Sequence, residues 1–166
     1  MAPTDNPYET FHIQKSARAP LTEFLKTALV ESGCTIIHCS GESEAPFRMT
    51  FIPPWGGRLG IVVYAFLANQ RLTMNRPGNE HRFQLKYGSK DGKLHRIWQD
   101  PFGLYTTLLV GINPEQGFFV GADPVLNSPT RLFISKEFKE THAQRILADG
   151  WLAWDRDQRP PSGNLR

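Results

Sequence analysis

Between Asn75 and Arg96 the chain gathers side chains suited to reading and holding a polyanion. Arg76, Asn79, Glu80, His81 and Arg82 stand within one short stretch where a turn gives way to an alternating run. Arginine can make paired hydrogen bonds to guanine O6 and N7, asparagine can do the same at adenine, and glutamate can accept from cytosine N4. Lys86, Lys90, Lys93 and Arg96 follow, where they suit phosphate contacts, which fix register without carrying sequence information. The window holds six basic residues against two acidic ones, a net of +4, whereas the whole chain carries +3, so the remainder sums to −1. Positive charge is therefore concentrated in one stretch, as a phosphate-facing surface requires. A solvated charged turn would show the same composition.

Other chemistries fit these residues less well. A nuclease centre needs acidic groups and a lysine converging on a divalent ion. Glu80, with Gln84-Leu85-Lys86 after it, resembles the end of a restriction-nuclease core, but Gln84 stands where a carboxylate belongs and no Pro-Asp pair precedes it. A small metal-dependent nuclease using Glu80 and Lys86 stays as an alternative. His12, His38, His81, His95 and His142 have no metal-ligand spacing, and two cysteines, Cys34 and Cys39, define neither a zinc site nor a disulfide framework. Gly56-Gly57 lacks the Lys-Ser completion of a phosphate loop and reads as a turn. No cofactor and no metal are expected. The aromatic residues Trp55, Tyr64, Trp98, Tyr105, Trp151 and Trp154 are numerous enough to build a pocket for a flipped or modified base, although tryptophan in a small β-domain is usually core.

The elements that would position these groups are mostly strands. Leu21, Phe24, Leu25, Ala28 and Leu29 fall on one face of a helix expected over residues 20–32, with Pro20 in its first turn and Gly33 as its stop. Strands are expected over 35–39, 47–52, 61–67 and 82–87, then a hairpin of 104–112 and 117–122 about Asn113-Pro114-Glu115-Gln116, and a strand over 131–135. A second helix is expected over 139–149, a last strand over 151–154, and polar loops over 40–45, 69–78 and 88–100. Residues 1–19 read as an irregular N-terminal segment, 20–155 as one domain and 156–166 as a linker or tail. Thirteen prolines and fourteen glycines in 166 residues suit short strands and frequent turns rather than a helical bundle. The fold class is therefore mainly β (α+β), about seven strands in a small barrel or half-barrel with two peripheral helices. Neither a signal-peptide pattern nor a membrane-length apolar run is present, and a cytoplasmic location is expected.

The run Asn79-Glu80-His81-Arg82, with Arg76 before it, resembles the base-contacting arm of the DNA-binding effector domain of EcoRII-type restriction endonucleases, where Arg-Asn-Glu-x-Arg leads into a strand. Those domains share an open pseudobarrel with the plant auxin-response-factor DNA-binding domain, and the order of elements over residues 21–122 is similar. Pro77 and Gly78 separate Arg76 from Asn79, an insertion that the family's run lacks. The resemblance implies two arms gripping the major groove of double-stranded DNA. The second arm would carry Arg76, Asn79, Glu80, His81 and Arg82. The first, residues 39–48, would carry Ser43 and Arg48, with Ser40 and Glu42 nearby. It implies sequence-specific duplex DNA binding by a chain that is not itself an enzyme, with any cleavage by a catalytic domain beyond Arg166. A reader of methylcytosine or a similar modified base is the alternative within DNA binding.

Overall fold

The computed structural model describes residues 8, 11–12, 15–41, 44–69, 80–85, 96–129 and 134–154. The apolar face foreseen for the first helix is the one it buries. α1 spans Lys15–Glu31, and its Leu21 and Leu25 are buried, with Phe24 and Leu29 packed beside them. It begins five residues before the expected start, so Pro20 lies inside the helix. Gly33 ends it at φ 80°, and the Cys34 N–H donates to the Leu29 carbonyl at 2.9 Å, a closure that a left-handed residue permits.

The strands are β1 (Phe11–His12), β2 (Thr35–Cys39), β3 (Glu44–Ala45), β4 (Phe47–Ile52), β5 (Leu59–Asn69), β6 (Glu80–Leu85), β7 (Tyr105–Asn113), β8 (Phe118–Ala122) and β9 (Ile134–Lys139), followed by α2 (Glu140–Asp149). Seven of them form one mixed sheet, and β1 and β3 make a separate two-stranded ribbon. The expected irregular segment over residues 1–19 therefore contains β1 and the start of α1, and the expected loop over 40–45 contains β3. The partners in that ribbon, Phe11 with Ala45 and His12 with Glu44, are far apart in sequence, so no local pattern announces it. The result is a mainly β, α+β protein with an open sheet and two helices, consistent with an open pseudobarrel.

β5 organises the sheet. Its first half pairs antiparallel with β4, its whole middle pairs parallel with β7, and Ala68 and Asn69 pair with Phe83 and Arg82 of β6. β7 continues antiparallel into β8, β4 into β2, and β6 into β9. Because side chains alternate across a strand, β5 supplies both cores at once. Val63 and Ala65 join Phe47, Met49, Val110 and Ile112 under α1. Val62, Tyr64, Phe66 and Ala68 join Leu109, Phe118, Val120, Phe138 and Ala143 on the opposite face, beneath α2. An apolar run read as a strand buried on both faces is what this position demands.

β6 starts at Glu80, two residues before the expected Arg82, and β9 includes Ile134 and Ser135 of the expected 131–135 strand, whose first three residues lie outside the described residues. Residues 151–154 form no strand. Instead Trp154 lies on His142 of α2, ring centroids 4.5 Å apart. A tryptophan-rich tetrapeptide has strand propensity, but among the described residues no strand pairs with it.

Candidate functional site

The parallel register brings Gly60 of β5 opposite Tyr105 of β7, and Arg48 of β4 opposite Val62. At Gly60 the sheet has no side chain, and the Tyr105 ring occupies that space. A Cβ built on residue 60 would stand 2.6 Å from Tyr105 Cδ1 and 2.7 Å from Cε1. An isolated glycine inside a strand is the sequence mark of such a close approach. The Arg48 guanidinium carbon lies 5.9 Å from the centroid of the same ring, within cation–π reach.

Tyr105 and Arg48 are two walls of a cavity of about 380 Å³. Tyr8 and Trp98 form another side, their rings 5.1 Å apart and inclined at 53°. Val62, Asp100, Phe102 and Leu104 contribute to the rest of the lining. This volume falls in the ~300–1,000 Å³ range of small-molecule sites, which are typically apolar and aromatic with a few placed polar groups.

Hydrogen bonds hold the segment carrying these walls. The Ile97 N–H donates to Ser128 Oγ at 3.0 Å and the Trp98 N–H to Tyr64 Oη at 3.1 Å, while Thr107 Oγ1 donates to the Trp98 carbonyl at 2.7 Å. Tyr64 is buried in the core, so Trp98 is tied directly to β5. Asp100 fastens the next turn, accepting from the N–H of Phe102 at 2.9 Å through Oδ1 and from those of Leu104 and Tyr105 at 2.7 Å each through Oδ2. The Phe102 N–H foremost, with those of Tyr105 and Leu104, holds the Asp100 carboxyl below the usual carboxylate range against the opposing effect of desolvation. Burial raises the Tyr8 hydroxyl above its ordinary range, with the Arg48 charge pulling it the other way. At neutral pH the site thus presents an ionised acceptor, a permanent donor in Arg48 and a protonated phenol.

Of the described residues singled out as DNA contacts, Arg48 is the one that lines this cavity. Its main chain is bonded to Ser40, the Ser40 N–H donating to the Arg48 carbonyl and the Arg48 N–H to Ser40 Oγ, each at 2.8 Å. Glu80, His81 and Arg82 belong to β6, opposite Lys139, Phe138 and Glu137 of β9. Arg96 is exposed, immediately before Ile97. Ser43, Arg76, Asn79, Lys86, Lys90 and Lys93 lie outside the described residues. Among the aromatic residues expected to form a pocket, Tyr64, Trp98 and Tyr105 come together, whereas Trp55 and Trp151 are exposed elsewhere. The sequence reading missed Tyr8, Asp100 and Phe102. Asp100-Pro101-Phe102-Gly103 does carry a signal, an aspartate before a Pro- and Gly-containing turn. Tyr8 carries none. Among the described residues no group of three or more His, Cys, Asp or Glu is placed to hold a metal ion, and no helix is long and apolar enough to cross a membrane.

The profile of the methylase-associated X1 family matches residues 59–164, so the chain belongs to that family. This membership links it to restriction–modification systems. The match takes in Gly60, Val62, Trp98 and the whole 100–105 turn, together with the basic stretch 76–96, but not Tyr8 or Arg48. No curated protein and no solved structure matches the chain.

Proposed function

We propose that this chain is a DNA-recognition module of a restriction–modification system and binds duplex DNA by sequence. The observation that supports the reading most directly is Arg48. This residue, singled out as a base contact, has its guanidinium over Tyr105 beside an aromatic cavity. Aromatic faces interleaved with arginine are a common way for proteins to hold nucleobases. The charge concentrated over residues 75–96 supplies the complementary phosphate-binding surface.

In this reading Arg76, Asn79, Glu80, His81 and Arg82 meet base edges in the major groove, as the likeness to EcoRII-type effector domains suggests. Lys86, Lys90, Lys93 and Arg96 neutralise phosphates. Selection from a randomised duplex library, unmodified and cytosine-methylated in parallel, tests it. A short enriched motif is the expected result. Arg82→Ala should cost about 1–3 kcal/mol on that motif and relax discrimination at one base pair. Lys90→Ala should weaken all sequences alike and flatten the salt dependence. Absence of enrichment in both pools, with no retention on DNA at low salt, would overturn the proposal.

A further inference from the structure

We infer that the cavity between Tyr8, Trp98 and Tyr105 is a receptor for one amino-bearing nucleobase (cytosine, adenine or guanine) turned out of the DNA helix. The inference rests on the DNA-binding reading and assigns that reading a second site, distinct from the 76–82 stretch. Three features of the cavity carry it.

The first is its surfaces. Tyr8, Trp98 and Tyr105 offer planar faces, and stacking of a base on such faces is worth about 1–3 kcal/mol per base. The second is polarity. Asp100 is an acceptor only, and among the described residues its Oδ1 accepts from the Phe102 N–H and no other donor, which leaves capacity on that oxygen. Arg48 is a donor only. A ligand that satisfies both must present an N–H donor and an acceptor on one ring. Cytosine offers N4–H with N3, adenine N6–H with a ring nitrogen, and guanine N1–H and N2–H with O6, whereas thymine has no amino group and its one donor, N3–H, lies between two carbonyl oxygens that an acceptor such as Asp100 repels.

The third feature is the lip. Phe102 is 83% exposed and Leu104 72% exposed, although both line the cavity. Neither side chain is held outward by packing, but the turn that carries them is fixed by Asp100. Large apolar side chains on a rigid turn beside a base-sized slot are suited to entering the stack where a base has left it, as apolar wedges do at kinked steps. The Trp98 wall is already bonded into place through Tyr64 and Thr107, and its neighbour Ile97 through Ser128, so that wall needs little ordering on binding.

Extrusion from a paired helix costs a few kcal/mol, and least for a base without a partner. The test compares fluorescent duplexes that are fully paired with the same duplexes carrying one cytosine, adenine, guanine or thymine opposite an abasic site. The purified chain should bind an unpaired cytosine, adenine or guanine duplex about tenfold more tightly than the paired one, or better, and the thymine duplex with a smaller gain. Tyr105→Leu and Phe102→Ala should each reduce that ratio severalfold. Phe102 is so exposed that its truncation removes no core packing, which keeps the test open if Tyr105→Leu fails to fold. Binding of paired DNA with no gain for an unpaired base, or a gain untouched by Phe102→Ala and by folded Tyr105→Leu, would overturn the base receptor and leave DNA binding standing. An equal gain for all four bases would overturn the amino-base assignment. Failure to bind any of the duplexes at low salt would remove the DNA reading itself, and the receptor with it.

Discussion

Gly60→Ala is the substitution that most directly probes the pocket's construction. In an ordinary strand, alanine in place of glycine gains about 0.5–1 kcal/mol by limiting the unfolded chain. Here the new Cβ meets Tyr105 Cδ1 at 2.6 Å and the Leu104 carbonyl oxygen at 3.2 Å. Overpacking of this kind costs about 1–3 kcal/mol, so the net expectation is destabilisation by about 1 kcal/mol. For a chain of this size that lowers Tm by about 2–4 °C. The ring responsible can be removed. In a Tyr105→Ala background the collision is with the Leu104 carbonyl only, and Gly60→Ala should be neutral or slightly stabilising. Urea denaturation of the four proteins in the cycle measures the coupling, expected at about 1–2 kcal/mol. If Gly60→Ala has the same effect with and without the Tyr105 ring, to within about 0.3 kcal/mol, the ring does not depend on the bare backbone and the reasoning fails.

Further expectations follow from the bonds that hold the walls. Tyr64→Phe deprives the Trp98 N–H of its acceptor and should destabilise by about 1–2 kcal/mol in urea, with a tryptophan emission shift as Trp98 loosens. Asp100 has a folded-state pKa below its unfolded value, so its contribution is complete above about pH 4 and is lost as pH falls through the folded value. Asp100→Asn should therefore be less stable than the parent at neutral pH, with the gap closing on acidification; a gap constant from pH 7 to 2 would refute this. His142 is held below the ordinary imidazole range by burial first and then by Lys139 and Arg145. Its stabilising effect should be complete above about pH 6.5 and decline as pH falls through the folded value. An NMR titration of His142 at or above that reference would contradict the burial argument.

Much of the sheet was legible because its signals are local. The alternation Phe47, Met49, Phe51 against Arg48 and Thr50 reads directly as one face on the core, and those three side chains are buried. The unbroken apolar run at 61–67 marked a strand covered on both sides, which β5 is. The pocket was less legible because it is assembled from four distant places: Tyr8, Arg48, Val62 and the 98–105 segment. Nothing in the immediate neighbourhood of Tyr8 indicates that it will meet Trp98. Arg48 was singled out as a base contact by family likeness, not by its place beside Tyr105. The glycine at 60 and the aspartate at 100 are the two local traces of the site. Both read as ordinary turn and strand punctuation until the β5–β7 register brings them to the same end of the sheet.

That register also has a consequence in time. Every rung of the β5–β7 ladder joins residues 45 positions apart, from Gly60 with Tyr105 to Leu67 with Ile112. Such a ladder closes a long loop before its contacts can reward the closure, which slows folding relative to a chain of hairpins. The helix and the β2–β4–β5 meander can form from nearby partners, so the parallel ladder is the step that must wait. Substitutions that weaken the ladder should then slow refolding in proportion to how far it is formed at the barrier. Those confined to the 98–104 turn should chiefly hasten unfolding, since its bonds to Tyr105 and Thr107 form only once β7 is in place.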